Sequence, residues 1–162
     1  MFIKNHLKKA MLLFIMIALL SACSSKESLL DLKTDISRSE EVQEIVKTLD
    51  WKKYQIEKTE VEDGEIRIYF VGEEPDFADE DFNTLVSKGI ILLILVENSE
   101  SISYAYENPS FSIDVPMAQT ILDANFQKSI EDYRSNKDDF EELLSRLSEM
   151  EISNDVFYDQ NL

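Results

Sequence analysis

The chain has 162 residues, with 16 basic and 33 acidic side chains, a formal net charge of −17, three glycines, one histidine and one cysteine. A field of that sign repels phosphate backbones and anionic headgroups, because Lys and Arg neutralising phosphate supply most non-specific nucleic-acid affinity. No nucleic-acid partner is expected, three glycines leave no Gly-rich phosphate-cradling loop, and a lone cysteine allows no intramolecular disulfide.

Lys4, Lys8 and Lys9 precede an apolar run over residues 10–20. At about 1.5 Å per residue this run is too short to cross about 30 Å of hydrocarbon, so it reads as the h-region of a secretory signal. It ends in Leu20-Ser21-Ala22-Cys23. These four residues resemble the cleavage box of bacterial lipoprotein signals, in which the chain is cut before a cysteine carrying a thioether-linked diacylglycerol. The resemblance implies that residues 1–22 are removed, that Cys23 is lipidated, and that the protein is held on the extracytoplasmic side of the cell membrane. Removing three lysines and no acid leaves 13 basic against 33 acidic residues, a formal charge of −20 on 140 residues. Adsorption to anionic lipid is then disfavoured, and the acyl chains do the holding at roughly 0.8 kcal/mol per buried methylene.

His6 leaves with the signal, and lipidation consumes the only thiol. Ser-His-acid and Cys-His catalysis, imidazole or thiolate zinc sites and covalent haem attachment therefore lack their residue types. No cofactor is expected. A chain of 140 residues is ordinary for one domain and buries roughly two thirds of its unfolded surface.

Residues 24–34 mix Ser, Lys, Glu and Asp around Leu29, Leu30 and Leu32, and the composition predicts a poorly ordered tether over 23–36. Ser37-Arg38-Ser39-Glu40 has capping-box spacing, and Val42, Ile45, Val46 and Leu49 follow at helical intervals, predicting a first helix that ends near Asp50. Residues 51–62 and 65–71 flank Asp63-Gly64, a dipeptide suited to a two-residue hairpin turn. In the second arm Ile66, Ile68 and Phe70 point one way while Arg67, Tyr69 and Val71 point the other.

From Asp76 onward, acids precede Phe82, Leu85, Val86, Gly89, Ile90, Leu93 and Ile94, the spacing of a long helix. The block at 89–96 is apolar all round and by itself also suits a buried strand; its continuity with the upstream period predicts one central helix. Ile102, Tyr104 and Tyr106 alternate with Ser101, Ser103 and Ala105 as a third strand. After an Asn108-Pro109 turn, Phe111, Ile113 and Val115 alternate as a fourth. Pro116 opens a short helix with Ile121, Leu122 and Phe126 on its apolar side. Ser135-Asn136-Lys137-Asp138 starts a last helix bearing Phe140, Leu143, Leu144, Leu147 and Met150. The prediction is an α+β domain over 37–152, a four-stranded mainly antiparallel sheet packed against a long central helix and flanking helices, with a flexible tail over 153–162.

The run Leu92-Leu93-Ile94-Leu95-Val96-Glu97-Asn98-Ser99-Glu100-Ser101-Ile102, with the upstream strand Ile66-Arg67-Ile68-Tyr69, resembles domain family 4825 of the unknown-function series from Gram-positive bacteria. The likeness covers residues 40–152, and Lys88-Gly89 departs from it where an Asn-small pair is expected. Such domains occur in secreted lipoproteins and as extracellular parts of membrane proteins carrying a sensor-type peptidase of the beta-lactam-regulator kind. No catalytic residues are assigned to that family. The resemblance implies a binding or sensing module.

Three constellations have functional readings. Glu73, Glu74, Asp76, Asp79, Glu80 and Asp81 offer oxygen ligands of the kind calcium takes, but lack the spacing of a binding loop and suit a helix start equally well; no metal site is assigned. Paired carboxylates hydrolyse glycosides without histidine, so a wall-polysaccharide hydrolase is the competing class, with no motif selecting two acids. Tyr69, Tyr104 and Tyr106 on strands offer anchors for a peptide or glycan if they lie on a face left uncovered by helices, and otherwise are sheet packing. Trp51 and Tyr54 have the same two readings. The charge favours a basic protein or peptide partner, and no catalytic residue is assigned.

Overall fold

The computed structural model of the protein describes residues 28–51, 54–71, 80–106 and 109–150. The expected signal with Cys23, the acids at 73–79, Asn108 of the expected turn, and the tail lie outside the described residues.

The elements run as a 3-10 turn Leu29–Leu32, β1 Thr34–Asp35, α1 Ser39–Thr48, β2 Gln55–Glu62, β3 Glu65–Val71, α2 Glu80–Leu95, β4 Val96–Glu97, β5 Ser101–Ala105, β6 Pro109–Asp114, α3 Val115–Asn125, α4 Ile130–Ser135 and α5 Lys137–Leu147. Asp63 (φ 49°) and Gly64 (φ 83°) join β2 to β3 with the two positive φ angles of a type I′ turn. The main sheet has the order β2-β3-β5-β6. Its outer pairs are antiparallel and its central pair β3–β5 is parallel, because α2 carries the chain back to the starting end of the sheet. The α+β class, the mainly antiparallel sheet and the central helix agree with the sequence reading.

Helix α2 shows why residues 89–96 read as apolar all round. Ile90, Leu92, Leu93, Ile94 and Leu95 are all buried, since α2 has the sheet on one side and α4 on the other, and a helix buried on all sides has no polar stripe. Gly89 stands where α2 crosses the sheet. A Cβ there would lie 2.4 Å from Ile113 Cγ2 and 3.1 Å from the Tyr104 hydroxyl. That gap lets Tyr104 reach the helix backbone and donate to the Leu85 carbonyl at 2.7 Å. No helix among the described residues is long and apolar enough to cross a membrane.

Four local expectations change. The second half of the expected tether is folded onto the domain. β1 pairs in parallel with β4, Ile36 N–H donates to Glu97 O at 3.0 Å, Asn98 Nδ2 donates to Asp35 at 2.5 Å, and Lys137 meets Asp31 at 3.0 Å. Leu29 and Leu30 pack against the core, which holds the segment where polar composition alone suggested a loose chain. Ser37 does not cap α1; its N–H and hydroxyl both donate to Asp35 Oδ1, at 2.9 and 2.6 Å. This Asx turn competes with the cap, and α1 starts at Ser39 behind Arg38. Val115 begins α3 instead of ending β6, because Asp114 accepts from Met117 N–H at 2.8 Å and caps the helix ahead of Pro116. A third C-terminal helix, α4, follows Ser129, whose hydroxyl and the Asp132 carboxylate form a reciprocal capping box.

Candidate functional site

Strand alternation divides the main sheet into two faces, and paired residues share a face. On the helix-covered face lie the rows Val61, Ile66, Ile102, Ile113 and then Thr59, Ile68, Tyr104, Phe111. The buried side chains of the described helices join these rows in one core. The opposite face carries three other rows. The first is Glu62, Glu65, Ser101, Asp114; the second is Glu60, Arg67, Ser103, Ser112; the third is Lys58, Tyr69, Ala105.

The three tyrosines are not one surface. Tyr104 is wholly buried under α2, with its ring 6.1 Å from those of Trp51 and Phe70, and burial raises its pKa well above the ordinary phenol value. As a binding anchor it is ruled out by position. Tyr106 shares that parity and is half-buried, 5.6 Å from Phe70. Trp51 is buried, its indole N–H donating to Val46 O at 2.7 Å, and Tyr54 lies 5.3 Å from Phe70. Of these aromatic residues Tyr69 alone lies on the face opposite the described helices, a face on which Ser103 and Ala105 are nonetheless buried.

Around Tyr69 the polar groups form a network. Its hydroxyl donates to Glu60 at 2.8 Å, and Lys58 Nζ sits 4.1 Å from its ring centroid while pairing with Glu60 at 2.8 Å. On the neighbouring row Arg67 pairs with Glu65 at 2.6 Å, and its buried Nε makes no hydrogen bond. Glu60 is held below its ordinary pKa, first by Lys58 and then by the Tyr69 hydroxyl. Glu60 raises Lys58 in turn, and Tyr69, then Glu65, raises Arg67.

This network has a titration signature. A carboxyl whose pKa is lower folded than unfolded adds stability above its unfolded value, about 4.3, and that stability is lost as pH falls through the folded value. Tyr69→Phe removes one of the two hydrogen bonds. In a carboxyl carbon NMR titration, Glu60 should titrate below an ordinary glutamate in the parent chain and closer to one in Tyr69→Phe. Identical Glu60 midpoints in the two proteins would show that the hydroxyl contact is absent in solution.

The first row is the acidic end of the face. Glu62 and Glu65 stand directly opposite each other, an arrangement of like charges that opposes sheet pairing, and Asp114 extends the row. Over all three rows Glu60, Glu62, Glu65 and Asp114 face only Lys58 and Arg67. Among the described residues no group of three or more metal-ligating side chains is placed to hold an ion.

Elsewhere, Phe126, Lys128, Tyr133, Asp139, Glu142, Leu143 and Arg146 line a cavity of about 70 Å³. It brings two carboxylates together, but Asp139 is paired with Lys128 at 2.8 Å and Glu142 with Arg146 at 3.5 Å. Its volume suits a few water molecules and falls well short of the roughly 300 to 1,000 Å³ of small-molecule sites.

Comparison with known proteins finds no matching family model, no matching curated protein and no matching solved structure.

Proposed function

We propose that the protein is a lipid-anchored, non-enzymatic module on the extracytoplasmic side of the cell membrane, and that it recognises a basic protein or peptide through the face of its sheet opposite the described helices. The observation that carries the recognition reading is the acidic row Glu62, Glu65 and Asp114 beside the Tyr69 network, with Glu62 and Asp114 exposed and Glu65 half-buried in its pair with Arg67. A Lys/Arg-bearing partner relieves the repulsion between Glu62 and Glu65, and the Tyr69 ring supplies an amphipathic contact of the kind that anchors interfaces. The anchoring reading rests on Leu20-Ser21-Ala22-Cys23 and the lysine-led apolar run. A binding or sensing module, the kind that the resemblance to family 4825 implies, would work in this way.

The competing reading, a carboxylate hydrolase, needs two facing acids about 5 to 10 Å apart with room for a sugar. The cavity that joins Asp139 and Glu142 is small, and each acid there is taken by a cation, so the geometry supports recognition better.

Affinity capture from cells with the anchored protein as bait tests the recognition reading. The expected partner presents a basic surface, associates more slowly as salt rises because the Debye length shortens from about 10 Å at 0.1 M to 3 Å at 1 M, and is lost with Glu62→Lys. A partner retained by Glu62→Lys and indifferent to salt removes this face from consideration.

A further inference from the structure

We infer that the domain stands directly on the bilayer, with the Leu29–Leu32 turn and the start of α5 facing it and Leu32 seated among the headgroups. The inference rests on Cys23 carrying the lipid, as proposed above. Ser28 begins a segment that the domain grips from several sides: its hydroxyl donates to Glu141, Lys137 reaches Asp31 at 3.0 Å, and β1 is paired with β4. From Cys23 to Ser28 is only five residue steps, at most about 17 Å fully extended. A tether free as far as residue 36 would allow about 45 Å. The docked segment therefore removes most of the slack and keeps the end of the domain that holds Ser28 within about 17 Å of the lipidated residue.

Two surface features agree with this placement. Leu32 is 43% exposed, one of two large apolar side chains left open among the described residues, and it lies on the segment that leads to the lipid. The other, Val71 at 53%, ends β3 six residue steps from Glu65, whereas the opposite end of β3 is tied to the β4 side through Gly64 O and Glu100 N–H at 2.7 Å. Charge is partly paired where contact is inferred, although Asp138 in the first turn of α5 adds an exposed acid there. Asp31 is answered by Lys137 and Glu97 by Lys33 at 3.0 Å each, so this end approaches anionic headgroups with less repulsion than the chain's total charge would give.

The test uses the acylated protein in phosphatidylglycerol–phosphatidylcholine vesicles, with an environment-sensitive dye on Leu32→Cys or, separately, on Val71→Cys; thioether formation leaves Cys23 unlabelled. Flotation is read first. Protein that fails to float lacks the anchor, which overturns the lipidation reading and this inference together. With flotation established, the dye at 32 should shift to the blue and be quenched severalfold more by headgroup spin-labelled lipid than the dye at 71. Inserting twenty Gly/Ser residues between Lys26 and Glu27, which adds roughly 25 Å of root-mean-square reach, should abolish that difference while flotation persists. Equal quenching at the two positions, stronger quenching at 71, or a difference that survives the insertion overturns the inference and leaves the anchor standing.

Discussion

Leu93→Ala should lower the unfolding free energy of the purified domain by about 2 to 5 kcal/mol, the range for deleting a fully buried leucine side chain where the surroundings relax only in part. Leu93 has no exposed surface and sits in the stretch of α2 that is enclosed on all sides. Collapse into the space left behind is limited, because neighbours on α2 such as Leu92 and Ile94 are fully buried as well and are committed to other contacts. Domains of this size are stable by about 5 to 15 kcal/mol in total, so the loss is a large fraction. In chemical denaturation the midpoint should fall with the slope unchanged. An unchanged midpoint would place the core somewhere other than around α2.

Arg134→Met should cost about 1.5 to 3 kcal/mol, the worth of hydrogen bonds to a charged group. The last four carbonyls of any α-helix lack intrahelical donors, and α2 has no basic residue in its own last turn. Arg134, on α4, fills the gap. Its Nη2 donates to Leu93 O at 2.6 Å and its Nε to Ile94 O at 3.2 Å, placing a cation at the negative end of the helix dipole. The side chain is 15% exposed, whereas its ion-pair partner Glu131 is 74% exposed. Glu131→Ala should accordingly change stability by no more than about 0.5 kcal/mol, since exposed pairs of this type contribute little. If the two substitutions have equal small effects, the carbonyl contacts are not what holds α4 to the end of α2.

What was legible in the sequence followed from periodicity. Ile66, Ile68 and Phe70 against Arg67 and Tyr69, and Val42, Ile45 and Val46 on α1, are patterns that local geometry imposes without help from the rest of the chain. Asp63-Gly64 and Pro116 carried their own backbone preferences. Some features that escaped were local and stood in the sequence, such as the Ser129–Asp132 capping box and the Asp35–Ser37 turn; the others depend on partners far away in sequence. Two-residue strands such as β1 and β4 have no period, and their pairing exists because α2 delivers Val96 beside Thr34. Arg134 lies about forty residues from the carbonyls it caps. The composition of residues 28–36 was that of a loose tether, yet Leu29 and Leu30 had a core to meet.

The candidate site divides in the same way. Tyr69 was readable as facing away from Ile66 and Ile68, and Tyr104 as sharing a face with Ile102; which face the helices cover was not contained in either pattern. The acidic row became visible only when β2, β3, β5 and β6 were set side by side, since Glu62 and Glu65 are separated from Asp114 by about fifty residues. The parallel β3–β5 pair, which brings Ser101 next to Glu65, is a consequence of the α2 crossover.

Metabolic labelling with a radioactive fatty acid in the native host, comparing the parent chain with Cys23→Ala, reads out whether Cys23 carries the lipid. Label is expected on the parent protein in the membrane fraction, and for Cys23→Ala no label, with an uncleaved precursor or protein shed into the medium. A parent protein that takes up no label, or a Cys23→Ala variant that takes up as much, would show that Cys23 is not the lipid anchor.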